Sequence, residues 1–255
     1  MQDVNELQRD RHSEQREDTD GGLVVFPFYL LVDVSYSMVK EIGVLNQSLR
    51  DFQHEVSMKP VLADITKLGI LEFSDQAREV VPLGDFSAVD LSQDLLTVKG
   101  GTSFAAAFRT LRQTIEHDVA AMKAANQAAP ADETFHYHRP AVYFLTDGFP
   151  NPGDPWRQAF EELKAIKAYP LFVPFGFRDA DEAILNELVH PRDRSKLYMA
   201  RDGANAATII AEMTKAMLMS VLASSMSVTT GQPSLNLPSQ AQVGPNMAVK
   251  GDLLF

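Results

Sequence analysis

Between about residues 23 and 226, short apolar runs alternate with amphipathic stretches, the pattern of an α/β domain built on a mostly parallel sheet. Residues 25–32 (VFPFYLLV) form a nearly continuous apolar run of strand length, as a central strand covered by helices on both faces requires. After it, Ile42, Leu45, Leu49, Phe52 and Val56 recur at spacings of three and four and stack on one face of a first helix. Two strand-like runs, 65–73 and 78–83, are separated only by Ser74, Asp75, Gln76 and Ala77. So short a link closes a hairpin but cannot make a parallel crossover, so the second run of this pair is antiparallel and lies at an edge.

Phe104, Ala107, Phe108, Leu111, Ile115, Val119 and Met122 predict a second helix, and the stripe of Phe104, Phe108 and Leu111 is core packing. A second buried strand follows at 141–146 (AVYFLT), then a helix carrying Trp156, Phe160, Leu163 and Ile166 and a strand at 171–177. A short helix at 183–189, a strand at 196–200 and a helix over 205–224 complete a doubly wound sheet of six strands with one antiparallel edge strand and helices on both faces. Residues 126–139 show no clear element and are expected to be a mobile surface loop. His136 and His138 within it can point the same way, but no third ligand is identifiable among His12, His54, His117 and His190, which favours a solvent-exposed loop over a metal site.

Composition sets the limits of the domain. Residues 1–22 hold seven acids, three arginines and little apolar surface, and are expected to be a disordered acidic arm. The domain spans 23–226. Residues 227–255, with three prolines, three glycines and two charges, form a C-terminal tail or an extended segment laid on the domain. There is no internal repeat. A net charge of −11 argues against nucleic acid and anionic lipid as partners. The absence of cysteine excludes disulfides, thiolate metal sites and a cysteine nucleophile. No window approaches the run of about eighteen apolar residues that a membrane span needs, and no secretory start is present, so a cytoplasmic protein is expected.

The chemistry gathers where the two central strands end. A doubly wound sheet binds ligands at the carboxyl ends of its strands, at the point where the winding direction reverses. There the sequence places Asp33-Val34-Ser35-Tyr36-Ser37 and Asp147-Gly148, while Gly100-Gly101-Thr102-Ser103 opens the helix leading back to the second strand. Hydroxyl and carboxylate oxygens without His or Cys suit a hard divalent cation, Mg²⁺ or Mn²⁺. Taken singly, Ser35, Ser37 and Thr102 read equally as helix caps; their joint occurrence at one crevice points to a site.

Asp33-x-Ser35-x-Ser37 with distant Thr102 and Asp147 resembles the metal-ion-dependent adhesion site of von Willebrand factor type A domains, over roughly residues 24–224. That resemblance implies direct coordination by Ser35 and Ser37, with Thr102 joining in at least one state. It implies that Asp33 and Asp147 act largely through water or hydrogen bonds, leaving one position for an acidic group of a protein partner. Tyr36 departs from the Gly of many bacterial members; if the position requires φ > 0, Tyr is strained there. VYFLTDGFPNPGD with Trp156, NQSLRDF and GGTSFAAAF are similar to the bacterial subgroup associated with tellurium resistance, whose members are often encoded near kinase- and phosphatase-like proteins.

These readings make the chain a metal-dependent adaptor and not an enzyme. The competing class is a metal-dependent phosphohydrolase with Asp33 as nucleophile; against it, Ser35 stands where a second acid is needed and no lysine is placed to neutralise a transferred phosphate. No phosphate-binding glycine motif of a nucleotide site is present. Capture of Asp252 by a neighbouring chain's site, aided by Leu253, Leu254 and Phe255, is a route to self-association, with a free or self-packed tail favoured over it.

Overall fold

Strand β1 (Leu23–Asp33) is buried on both faces because apolar residues occupy both phases of its alternation. Phe26, Phe28, Leu30 and Val32 face one core cluster, while Tyr29 and Leu31 face the other. The computed structural model describes residues 23–59, 65–130, 135–201, 203, 205–229 and 233–250. The acidic arm and residues 251–255, including Asp252, lie outside them.

Helix α1 (Ile42–Ser57) lays Leu45, Leu49, Phe52 and Val56 on the first cluster. β2 (Thr66–Phe73) pairs parallel with β1, and β3 (Ala77–Gly84) returns antiparallel at the edge, the arrangement that the short link between them requires. Helix α2 (Phe104–Ala128) packs Phe104, Phe108, Leu111 and Ile115 on the second cluster. β4 (Phe135–Tyr137) pairs with the start of β1, and β5 (Ala141–Thr146) pairs parallel with its end. Helix α3 (Trp156–Lys164), β6 (Leu171–Gly176), helix α4 (Glu182–Glu187), β7 (Leu197–Ala200), helix α5 (Ala206–Thr229) and β8 (Met247–Lys250) follow. The main sheet path runs β3-β2-β1-β5-β6-β7-β8, with β4 beside β1. α1 and α5 cover one face; α2, α3 and α4 cover the other. The second cluster is dense in rings: Phe144 lies against Phe73, Phe104, Phe108 and Phe172, with ring centroids 4.9 to 5.7 Å apart. Truncating such a side chain to Ala costs about 3–5 kcal/mol.

Among the described residues the sheet has eight strands and not six. Residues 126–139, expected to be a loop, contain the end of α2 and all of β4. His136 and His138 are half-buried there, and the His138 ring stacks on Phe26 at 4.3 Å. The other added strand, β8, lies in the segment read as a tail or as an extended piece on the domain, and it makes a second antiparallel edge beside β7. Leu235, Leu237 and Val243 pack on the first core cluster, Met247 is fully buried, and Tyr198 Oη donates to Pro238 O at 2.8 Å. Residues 233–250 are therefore part of the folded domain.

One sequence expectation is corrected by α5. Residues Ala206–Ser227 are long and apolar enough to cross a membrane by length and composition, with a mean hydropathy of 1.4. Glu212, Lys215 and scattered Ser and Thr hide this in a search for unbroken apolar runs. In the fold, Ile209, Ile210, Met213, Met217 and Val221 are buried in the first core cluster, and Thr66 Oγ1 and Ser225 Oγ lie 2.6 Å apart across the packed interface.

Candidate metal centre

β1 and β5 are adjacent, parallel and the origin of the two winding directions, so Asp33 and Asp147 meet where their strands end. The Asp33 side chain is wholly buried. Its Oδ2 accepts from Thr146 Oγ1 at 2.6 Å and its Oδ1 from Ser35 N at 2.9 Å. Burial pushes its carboxyl up to about 6, against the pull of those hydrogen bonds, and the nearby Asp147 charge adds to the rise.

Beyond β1 the chain turns through a short 3-10 segment, Tyr36–Lys40. Ser35 stands at its cap position but makes no side-chain cap bond. Instead Ser35 Oγ lies 2.9 Å from Ser37 Oγ, which donates to Asp147 Oδ1 at 2.7 Å. The cap of α2 is Ser103, whose hydroxyl accepts from Ala106 N at 3.1 Å. The hydroxyls of Ser35 and Ser37 are thus engaged with each other and with a carboxylate, not with a helix end.

Backbone bonds hold the third loop beside them. Lys99 N donates to Val34 O at 2.7 Å and Tyr36 N to Gly100 O at 3.1 Å. Thr102 exchanges bonds with Asn151, its N–H meeting Asn151 Oδ1 at 3.0 Å and its carbonyl accepting from Asn151 N at 2.7 Å. Gly100 has φ 38°, and a Cβ there would overlap Asp75, which accepts from Gly101 N at 2.9 Å. These contacts bring Thr102 to the crevice without a direct bond to Ser35, Ser37 or Asp147. Tyr36 is unstrained: among the described residues Arg178 is the non-glycine with positive φ. The Tyr36 ring is 71% exposed, and exposed Val39 and Phe149 follow Ser37 and Asp147 at two residues' distance, so apolar surface borders the polar crevice.

Two residues that sequence reasoning missed complete the geometry. Arg178, just past β6, directs Nη1 at Ser37 O (2.7 Å), Glu41 Oε2 (3.0 Å) and Asp147 Oδ2 (3.1 Å). Glu41, the residue after the 3-10 segment, is itself buried. The available signal was positional: Arg178 follows the strand next to the switch point, where crevice residues also arise.

The donor set fits a hard divalent cation. Among the described residues no group of three or more Asp, Glu or His side chains is set to hold a metal by itself; a cation in this crevice would meet the hydroxyl oxygens of Ser35 and Ser37, with the carboxylates of Asp33 and Asp147 behind them. Mg²⁺, which keeps several waters and takes few direct carboxylates, has that preference.

Residues 28–149 match the von Willebrand factor type A domain family. No curated protein matches the sequence. Among solved structures, the fold is similar to a von Willebrand factor type A protein from Catenulispora acidiphila, with TM-score 0.53 and 15% identity over 78% of this chain and 43% of that one. It is similar to the pilus adhesin SpaC from Lactobacillus rhamnosus GG, with TM-score 0.55 and 15% identity over 78% of this chain and 31% of that one. A third is proximal thread matrix protein 1 from the mussel byssus with a zinc-occupied MIDAS motif, with TM-score 0.51 and 15% identity over 78% of this chain and 48% of that one. The chain spans less than half the length of each. The strand order and the family match point the same way: residues 28–149, just under half of the chain, match the von Willebrand factor type A domain family, and the switch-point crevice lies among them.

Proposed function

We propose that this chain is a metal-dependent interaction module that binds an acidic group of a protein partner through a divalent cation, Mg²⁺ or Mn²⁺. Ser35, Ser37 and Thr102 hold the cation, and Asp33 and Asp147 act through water or hydrogen bonds. The observation that carries this reading is the chain of oxygens Ser35–Ser37–Asp147, drawn together at the switch point and used by no helix cap. The cation supplies positive charge that direct carboxylates leave largely unneutralised, and so attracts an anionic ligand. Exposed Tyr36, Val39 and Phe149 suit a partner surface whose carboxylate is flanked by apolar residues.

Asp33 is a poor nucleophile here, because its carboxylate is wholly buried and both oxygens accept hydrogen bonds. That favours the adaptor over the phosphohydrolase. The finer placement, in the tellurium-resistance-associated subgroup with kinase- or phosphatase-like partners, is supported by the motifs VYFLTDGFPNPGD, NQSLRDF and GGTSFAAAF.

Pull-downs from the native cell with Mg²⁺ and with EDTA, using wild type and the Ser35→Ala/Ser37→Ala variant, test the reading. Proteins captured by wild type in Mg²⁺ and lost in the other conditions are expected. The same capture in every condition contradicts it, as does Mg²⁺-dependent turnover of a phosphate ester that Asp33→Asn abolishes.

A further inference from the structure

The Arg178 guanidinium is a fixed positive charge inside a crevice assigned to a cation. Its placement is enforced: the residue sits at φ 53°, a left-handed conformation unfavourable for a side chain of its kind. The turn around it is fastened to β5 and the residue that follows it. Phe177 N donates to Thr146 O at 3.3 Å, Asp179 N to Asp147 O at 3.0 Å and Ala180 N to Phe177 O at 3.1 Å. The turn therefore moves with Asp147, and Nη1 reaches Ser37 O, Glu41 and Asp147 together.

Those three acceptors share the two hydrogens of Nη1. Nε and Nη2 meet no acceptor among the described residues, and the side chain is 32% exposed while those of Glu41 and Asp147 are 5% and 1% exposed. The guanidinium thus keeps three N–H groups for a ligand at the mouth of the crevice, in the forked arrangement that matches a carboxylate. Ser37 is the shared element: its hydroxyl belongs to the proposed cation site and its carbonyl to Arg178. A cation on that hydroxyl lies in the field of the guanidinium, and like charges in a half-buried site oppose each other.

Resting on the metal-dependent reading above, we propose that Arg178 couples the two ligands: it weakens the divalent cation in the absence of an acidic partner and contributes a second contact to the partner's carboxylate when that group arrives. Metal and carboxylate then bind as a cooperative pair, each raising the affinity for the other by the same factor. The partner chemistry follows: a carboxylate with both oxygens free, one facing the cation and one facing Arg178. A backbone carbonyl or hydroxyl has no second anionic oxygen for this arrangement.

The test is calorimetric titration of Mn²⁺ into the metal-free full chain, in excess sodium acetate and in sodium chloride of equal ionic strength. Wild type is expected to bind Mn²⁺ about tenfold more tightly in acetate than in chloride. Arg178→Gln is expected to bind Mn²⁺ more tightly than wild type in chloride and to keep only the smaller part of the acetate response that the cation itself provides. Arg178→Lys retains the charge without the fork; it is expected to hold Mn²⁺ as wild type does in chloride and to lose most of the response, and it carries the test if Arg178→Gln does not melt cooperatively. A wild type indifferent to acetate, or variants that respond to acetate as wild type does, overturns the coupling and leaves the metal reading standing. Failure of wild type to bind Mn²⁺ in either salt overturns both.

Discussion

Asp33 and Glu72 are buried carboxylates near the ends of neighbouring strands, and the protein sets cationic side chains directly against one of them but not the other. Glu72, 2% exposed on β2, receives two cations from its own neighbourhood. Arg78 Nε lies 2.6 Å from Oε1 across the β2–β3 hairpin, and Lys99 Nζ meets the same oxygen. Its Oε2 is buried without a hydrogen-bond partner among the described residues. Asp33, on the adjacent strand, receives only a hydroxyl and an N–H, and burial pushes its carboxyl up to about 6. In the crevice Arg178 pairs with Glu41 and Asp147, and Asp33 has no cationic side chain against it; around Glu72 one acid faces two cations. An isolated buried charge is costly unless paired. The acid-rich balance of the crevice marks it as the place where a cation from solution has most to offer, whereas the Glu72 cluster is a structural ion network.

The largest expected effect breaks the structural side of that comparison. Arg78→Ala with Lys99→Ala strips Glu72 of both partners and is expected to lower stability by about 3 kcal/mol, the low end for a broken buried pair because both cations are partly exposed. Denaturant unfolding with and without Mg²⁺ measures it, and the loss is expected to be the same in both.

A smaller effect of opposite sense sharpens the other side. In EDTA the native state holds the Asp33 proton more tightly than the unfolded chain does. This group therefore contributes stability at low pH and loses it as pH rises from 3.8 through about 6. Asp33→Asn removes that loss. Its stability relative to wild type is expected to rise across this window and to level off above it at a gain of about 1–2 kcal/mol, part of the shift's full worth because an amide replaces only some of the hydrogen bonds. Unfolding of both proteins in EDTA from pH 4 to about pH 8 measures this; a difference that does not change with pH assigns Asp33 no such burden.

How far the sequence discloses this molecule depends on the range of the signal. The central strands and the amphipathic helices are legible because burial imposes a period on consecutive residues, as in the run ending at Val32 or the Phe104–Phe108–Leu111 stripe. β4 and β8 are not: each is short, like β7, but unlike β7 neither stands between two amphipathic helical stretches, and each is held by pairing with a strand distant in sequence, β1 or β7. The same distinction runs through the site. Asp33, Ser35 and Ser37 stand together in sequence, and Thr102 and Asp147 follow recognisable patterns. Arg178 and Glu41 are joined to each other and to Asp147 only by folding, across 137 and 31 residues of chain, and neither has a local pattern of its own.

The central claim is that the hydroxyls of Ser35 and Ser37 hold a divalent cation. Calorimetric titration of Mn²⁺ into metal-free wild type and into the Ser35→Ala/Ser37→Ala variant tests it most directly, with melting curves recorded on the same samples. Wild type is expected to bind one Mn²⁺ and to gain about 2.7 kcal/mol of stability when the free metal stands at about a hundred times its dissociation constant. The variant is expected to melt cooperatively in EDTA and to gain nothing from the metal. Equal Mn²⁺ affinity in the two proteins, with equal stabilisation, would contradict the account.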